Sequence, residues 1–444
     1  MRQEHLYGPR TPKALSFQPN YVVADAVAAA FRRHSIESLF GQSIPSSLML
    51  AVADIGIRQV VYRTENAGTA MADGYARISR RIGVVTAQNG PAATLLVPGL
   101  AEAFKSSIPI LAIVQDVPRQ MVDRNAFQEL DHMSLFAGSA KWIRRAERQD
   151  RIGDLLDQAI TAALTGRPGP VVLLLPMDLL VEETEPSTAR RMGFGTVPLD
   201  RMAPGGDAVE QAARLLAAAR RPVVIAGGGI HLSGAHEQLA QLQELAGLPV
   251  GTTIMGKGGV DEGHPLSLGV IGNAMGKRGM SRYLRTMIKD ADVVLLAATR
   301  TAQNGTDSWS LYGTDAQFIH IDIDGLEVGR NYEAVRLVGD ARLTLEALNA
   351  KLAGTDLSLR QSQRPAVEGA IAEARRLHRE DADDVLTSDR SPIRPERIMA
   401  ETDKVLTPQS IVTADASFSS VWFSNYLRAQ QPGMRFLAPR GQAG

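Results

Sequence analysis

A lone glutamate stands where an apolar run meets a helix of small residues. Ile57 to Tyr62 leads into Glu65, and Ala67, Gly68, Ala70, Ala72, Gly74 and Ala76 follow. A carboxylate at a strand end and a helix N-terminus can hold or move a proton, and open α/β sheets place working groups there. By spacing alone it reads equally as an acid favoured by the helix dipole. Two further strings carry polar groups at comparable junctions. Gln88-Asn89-Gly90-Pro91-Ala92-Ala93-Thr94 follows a strand and opens a helix, with Gly90 suited to a tight turn and Pro91 to the first helical position. Asn125-Ala126-Phe127-Gln128-Glu129-Leu130-Asp131-His132 offers an amide and an imidazole. Unaided, Gln128 reads equally as a surface helix residue, and His132 reads as a surface histidine.

The elements that must position these groups alternate between helix and strand. A helix is expected over Tyr21–His34, a short strand over Ser38–Phe40 and a helix after Pro45. Strands are expected at Arg58–Tyr62, Ile82–Ala87, Ile108–Val114 and Val171–Leu175, with helices at Ala92–Lys105 and Arg151–Thr165 between them. Apolar runs this continuous imply strands covered on both faces, hence a parallel sheet. Glu182–Pro204 is polar, dotted with Pro and Gly, and reads as a linker. A second α/β unit has helices at Ala208–Ala219 and Ala341–Leu352 and strands at Pro222–Ala226, Val293–Ala298 and Phe318–Ile323. A charged connector follows. A third unit opens with a helix near Pro395–Val405, a strand at Ser410–Thr413, a helix through Val421–Leu427 and a strand at Arg435–Leu437. The fold class is therefore α/β, with three consecutive units of mainly parallel sheet flanked by helices. Their bounds are 1–185, 186–355 and 391–444, with 356–390 as linker.

Composition narrows the functions. The 444 residues suit about three domains, and 48 basic residues balance 48 acidic ones. No basic run marks a nucleic-acid or membrane footprint, and no apolar stretch reaches the roughly 18 residues of a membrane span. Met1-Arg2-Gln3-Glu4-His5 lacks a signal-peptide core, so the chain reads as a cytoplasmic protein. The absence of cysteine excludes disulfides, zinc–thiolate sites and cysteine nucleophiles.

The string from Glu65 through Met71-Ala72-Asp73-Gly74-Tyr75-Ala76-Arg77 resembles a segment of the thiamin-diphosphate (ThDP) enzymes of the acetolactate synthase-like family. Asn89, Gly90 and Thr94 match that family's coenzyme-lining loop, and Ala126-Phe127-Gln128-Glu129 matches its Ala-Phe-Gln-Glu motif. The resemblance implies a ThDP-binding fold with a Rossmann-like central domain. It implies that Glu65 hydrogen-bonds N1′ of the aminopyrimidine and so promotes loss of the thiazolium C2 proton, with burial of the Glu raising its pKa. It implies that Gln128 reaches an active site across a subunit interface, in a homodimer or homotetramer. Gln42 and Gln128, with His132 as a further candidate, would shape the fate of a 2-oxo acid substrate in a decarboxylation or carboligation, as in a lyase or transferase. Departures concern the acceptor: Gly41-Gln42-Ser43-Ile44-Pro45 replaces the Gly-Gly of acetolactate synthases, Thr64 replaces a His, and the His-His pair of pyruvate decarboxylases is missing.

The resemblance also implies Mg²⁺ on the coenzyme diphosphate, held in the family by Gly-Asp-Gly and a downstream Asn. This sequence has no Gly-Asp-Gly, so no metal ligand is expected within it; Asp415 and Phe418 open the corresponding domain and the coenzyme would meet them there. On this reading the third domain is incomplete and the terminal Arg440-Gly441-Gln442-Ala443-Gly444 enters a loop. In the central unit Gly227-Gly228-Gly229, Arg300 and Asp322 stand where FAD-binding relatives place phosphate and ribose contacts. Thr301-Ala302-Gln303-Asn304 replaces the family's Phe-Asp-Asp there, which weighs against FAD, and Asp322 and Asp324 read equally as turn-forming caps. The alternative to an enzyme is a non-catalytic nucleotide-binding or assembly protein that kept the fold.

Overall fold

Continuous apolar strands joined by crossover helices leave one arrangement open, a parallel sheet with helices on both faces, and the chain adopts it twice. The computed structural model describes residues 21–186 and 201–441. These group into two compact units divided at residue 200, with Arg440 and Gly441 grouping with the first. Parts of the expected linker (187–200), the first twenty residues and the last three lie outside the described residues.

In the first unit the order is α1 (Val23–Arg33), β1 (Ser38–Phe40), α2 (Ser46–Asp54), β2 (Arg58–Val60), α3 (Glu65–Ser79), β3 (Gly83–Ala87), α4 (Pro91–Ser106), β4 (Ile110–Asp116), α5 (His132–Phe136), β5 (Trp142–Arg145), α6 (Ile152–Leu164), β6 (Val171–Pro176) and α7 (Met177–Leu180). The six strands form one parallel sheet in the order β2-β1-β3-β4-β6-β5. Ile110–Val114 and Val171–Leu175 are buried throughout, as two covered faces require. α4 packs over β3 and β4 through Ala93, Leu96, Leu100 and Ala103, all fully buried.

The small residues of α3 have specific neighbours. A Cβ on Gly68 would lie 2.2 Å from the Tyr62 ring, and one on Gly99 of α4 would lie 2.5 Å from Thr69 Cβ. Gly83 of β3 would meet Ala72 O at 2.3 Å. The string thus serves close packing of α3 on β3 and α4. Its charged pair is part of the same seam: Arg77, 4% exposed, donates through Nε to Asp73 (2.5 Å) and through Nη2 to Glu102 on α4 (2.7 Å).

In the second unit α8 (Gly206–Ala218), β7 (Pro222–Ala226), α9 (Gly229–Ser233), α10 (His236–Leu245), β8 (Val250–Thr252), β9 (Ser267–Val270), α11 (Arg285–Lys289), β10 (Val293–Ala297), β11 (Gln317–Asp322), β12 (Ala334–Val338) and α12 (Ala341–Ala353) build a second parallel sheet, ordered β12-β11-β10-β7-β8-β9. Residues 356–390, expected as a connector, instead carry a 29-residue helix, α13 (Ser358–Leu386). Its apolar contacts are sparse along a charged sequence, but Ile371, Ala374, Ala382 and Val385 recur on one side and are buried, which is the narrow stripe a surface helix needs. α14 (Pro395–Val405), β13 (Ile411–Thr413), α15 (Phe418–Tyr426) and β14 (Arg435–Leu437) follow, with β13 and β14 paired in parallel. No helix among the described residues is long and apolar enough to cross a membrane.

Gly99→Ala is expected to destabilise the first unit by about 1–3 kcal/mol through overpacking. Gly74→Ala, with nothing within 4 Å of the added methyl, should instead stabilise by roughly 0.5–1 kcal/mol through helix propensity. Urea unfolding of the two variants checks the pair, and equal shifts would contradict the packing assigned to this seam.

Candidate functional site

All six strands of the first sheet run the same way, so the loops after β1, β2, β3 and β4 gather at one edge. The chain leaves β1 and β3 in opposite directions, which opens a crevice at their carboxyl ends. Gln42 follows β1, Glu65 follows β2 and Asn89 follows β3 around it. The loops are cross-tied. Gln42 Nε2 donates to Arg63 O (3.2 Å), and the Tyr62 hydroxyl, leaving the strand earlier than expected, donates to Thr86 O on β3 (2.6 Å).

Glu65 is the first residue of α3, with Thr64 as its cap: the Thr64 hydroxyl accepts from Ala67 N–H at 3.4 Å. Its side chain is half-buried and takes no hydrogen bond or ion pair among the described residues. A carboxylate held at a helix N-terminus without a protein partner is open to a ligand donor.

The turn after β3 is held by the Gln128 loop. Gly90 sits at φ 64°, ψ −122°, and a Cβ there would lie 2.6 Å from Gln128 O. Asn89, 5% exposed, donates through Nδ2 to Phe127 O (3.0 Å) and Gln128 O (3.1 Å). Gln128 is not helical; it is half-buried in a left-handed turn (φ 59°), while Phe127 is 80% exposed. Glu129 clamps the loop by accepting from Asp123 N–H (2.7 Å) and Ala126 N–H (2.9 Å). Thr94 is half-buried, and its hydroxyl is spent on Pro91 O (2.6 Å).

His132, expected on the surface, is 2% exposed and bridges Gly90 N–H and Asp116. Asp116 ends β4 and also accepts from Arg145 Nε (2.6 Å). Burial would raise its pKa, but the hydrogen bonds from His132 and Arg145 outweigh it and hold the carboxyl below the usual range. Sequence reading missed both partners. An acid closing an apolar run, Gln115-Asp116, was the available signal, whereas β5 is a polar edge strand with no apolar run to betray it.

The second sheet has the strand order of dinucleotide-binding folds, with its own crevice between β7 and β10. Gly227–Gly229 occupies that turn, and two of its three N–H groups are committed: Gly227 donates to Ala297 O (2.8 Å) and Gly229 to Ala298 O (3.2 Å). A Cβ on Gly227 would lie 2.3 Å from Ala298 O. These glycines permit a close backbone crossing. Asp322, buried at the end of β11, accepts from Asp324 N–H (2.9 Å), which is the turn-forming role; burial pushes its pKa up to about 6, against the opposing charge of Arg300. Asp415 is exposed, and its carboxylate takes the hydroxyls of Ser417 and Ser419 at the start of α15. Phe418 is 74% exposed beside Trp422. Among the described residues no group of three or more His, Asp or Glu is placed to hold a metal.

Two family models match the chain: the thiamine pyrophosphate enzyme N-terminal TPP binding domain over residues 22–135, and the thiamine pyrophosphate enzyme central domain over residues 209–348. The chain is 32% identical over 437 residues to a probable acetolactate synthase large subunit of Methanococcus aeolicus, covering 94% of this chain and 71% of the relative. It is 32% identical over 435 residues to the corresponding protein of Methanocaldococcus jannaschii, with 94% and 70% covered. It is 31% identical over 437 residues to the acetolactate synthase large subunit of Parasynechococcus marenigrum, with 95% and 67% covered.

Asp116 and Asp322, shifted in opposite directions, should leave opposite marks on stability. Asp116 is depressed in the folded state, so its contribution is present above the unfolded value near pH ~3.9 and is lost as pH falls through the folded value. Asp116→Asn should therefore cost about 1–3 kcal/mol at pH 7 and progressively less in acid. Asp322 is raised, so its ionisation opposes folding as pH rises through about 6. Asp322→Asn should gain up to about 3 kcal/mol at pH 8 relative to pH 4. Denaturant unfolding across pH 3–8 checks both signs.

Proposed function

We propose, from the premise that the chain belongs to the thiamine pyrophosphate enzymes of the acetolactate synthase-like family, that it serves ThDP-dependent carbon–carbon bond formation or cleavage on a 2-oxo acid or related carbonyl substrate. The observation that carries this reading is Glu65: a carboxylate at the first turn of α3, in the crevice of the first sheet, with no partner of its own among the described residues. That donor set fits the pyrimidine end of the coenzyme. When bound, the coenzyme supplies the carbanion chemistry that side chains lack.

The chain's own residues supply position and proton control. Glu65 would hold the pyrimidine ring nitrogen N1′, donating its carboxyl proton to that nitrogen and then accepting the hydrogen bond of the N–H so formed. Thr64 fixes the start of α3, and hence the Glu65 backbone, through its cap. The Asn89–Gly90 turn forms a second wall, and the absence of a side chain on Gly90 lets the Gln128 backbone pack directly against it. Gln42, tied to Arg63 O, and Gln128 offer amides toward the substrate, where they orient a carbonyl or carboxylate. No residue of this sequence is assigned to Mg²⁺, because it lacks the Gly-Asp-Gly that the resemblance implies for the metal. The relatives that match are named as synthases, which does not favour the non-catalytic alternative.

A second copy of the chain is proposed to complete the site. The Gln128 loop exposes Phe127 (80%) and Leu130 (47%), while α3 and α4 expose Met71 and Leu95. Side chains of that size gain by burial against a like surface.

Glu65→Gln should slow coenzyme C2-proton exchange by roughly 10²–10⁴-fold while leaving the unfolding transition unchanged. Exchange at the unaltered rate in a folded variant would remove Glu65 from the reaction. Sedimentation of the protein should show a dimer or larger, and Phe127→Asp should shift it toward monomer.

A further inference from the structure

We propose that Asp116 and His132 are a positioning pair that sets the Gly90 turn and the Gln128 loop in register, so that the two walls of the coenzyme crevice act as one unit. The inference rests on the ThDP reading above for its function, but its geometry stands on the described residues alone.

The pair is built around a single tautomer. Asp116 can only accept as a carboxylate, and it takes Val117 N–H (2.9 Å), Arg145 Nε (2.6 Å) and His132 Nδ1 (3.1 Å). The Nδ1 atom of His132 therefore carries the proton. Nε2 is left with its lone pair, and that lone pair accepts Gly90 N–H at 2.9 Å. Both ring nitrogens are committed, so His132 has no free atom for acid–base work; its product is the location of the Gly90 amide.

Gly90 transmits that location. It lies in a backbone region that only glycine adopts freely, against Gln128 O and Cβ. Asn89 ties the same turn to Phe127 O and Gln128 O. Gln128 itself holds a left-handed conformation, which a non-glycine residue keeps only where several contacts over-determine it. The turn and the loop are thus joined at Asn89, at the Gly90–Gln128 contact and at the His132 bridge. Removing the bridge leaves a buried N–H without an acceptor and frees the loop to relax. The charged groups around the pair are Arg145 on β5, Glu147 paired with it, and Asp131 and Glu129 on the loop.

The test uses the full-length protein and two readouts. Long-range ¹H–¹⁵N spectra of the imidazoles should show His132 protonated on Nδ1 and bare on Nε2. An Nε2–H tautomer or an imidazolium would overturn the proposal without touching the functional reading. Calorimetric titration with ThDP and Mg²⁺ should then show His132→Phe binding the coenzyme at least roughly tenfold more weakly than wild type. His132→Gln keeps an acceptor and a donor, and should recover affinity to within about threefold. Wild-type affinity in His132→Phe would overturn the proposal, as would equal loss in both variants. Should His132→Phe not fold, the glutamine variant and the tautomer decide the matter. A wild-type protein that binds no ThDP would instead defeat the functional reading, with the tautomer still measurable.

Discussion

The first unit depends on a contact that tolerates no side chain: the Gly90 backbone against Gln128. Parallel strands end at a common edge, so the segments that follow them compete for the same space. After β3 the chain turns directly into α4, and after β4 a loop returns over that turn before α5. The two backbones meet closely enough that a methyl on Gly90 would overlap Gln128 O. Everything nearby serves to hold that approach. Asn89 donates across it, His132 accepts from it, and Asp116 with Arg145 fixes the orientation of the imidazole. The Glu65 side of the crevice is braced separately, through Tyr62 on Thr86 and Gln42 on Arg63.

The second sheet uses its glycines differently from the first. Its crevice between β7 and β10 has the topology associated with dinucleotides, and a glycine triplet lies in the turn. Yet the glycines face inward. The N–H groups of Gly227 and Gly229 go to Ala297 and Ala298, and the missing side chains of these two admit the Ala298 backbone. The same residue type therefore plays two parts in this chain. In the first unit Gly90 lets a functional loop approach, whereas in the second Gly227 and Gly229 close a crossing.

A similar distinction applies within the string after Glu65. Its small residues and its charges sit on a helix that is packed on both sides. Gly68 receives the Tyr62 ring, Thr69 meets Gly99, and Arg77 joins Asp73 and Glu102 in a buried seam. Desolvating three charges is tolerated because each has a partner of opposite sign within hydrogen-bonding distance. Of that helix's charges, Glu65 at its start is the one without an ion-pair partner among the described residues. The rigidity of the remainder is what gives a single carboxylate a defined place.

Local pattern determined a good deal from sequence alone. The buried runs Ile110–Val114 and Val171–Leu175, the α4 and α6 helices, and the βα junctions at Glu65 and Asn89 follow from periodicity and turn chemistry, which depend on near neighbours. Elements without such periodicity escaped: the polar edge strand Trp142–Arg145, and α13, whose apolar stripe is too thin to outweigh its charges until a neighbouring surface buries it. The surface character read for His132 failed for the same reason. An imidazole between Asp131 and Met133 carries no local sign of burial, and its partners, Gly90 and Asp116, are 42 and 16 residues away. Sequence could name the residue types that do chemistry, because type sets reactivity. Which of them is free to act, as Glu65 is, and which is committed, as His132 is, was decided by long-range contacts that exist only once the sheet has formed.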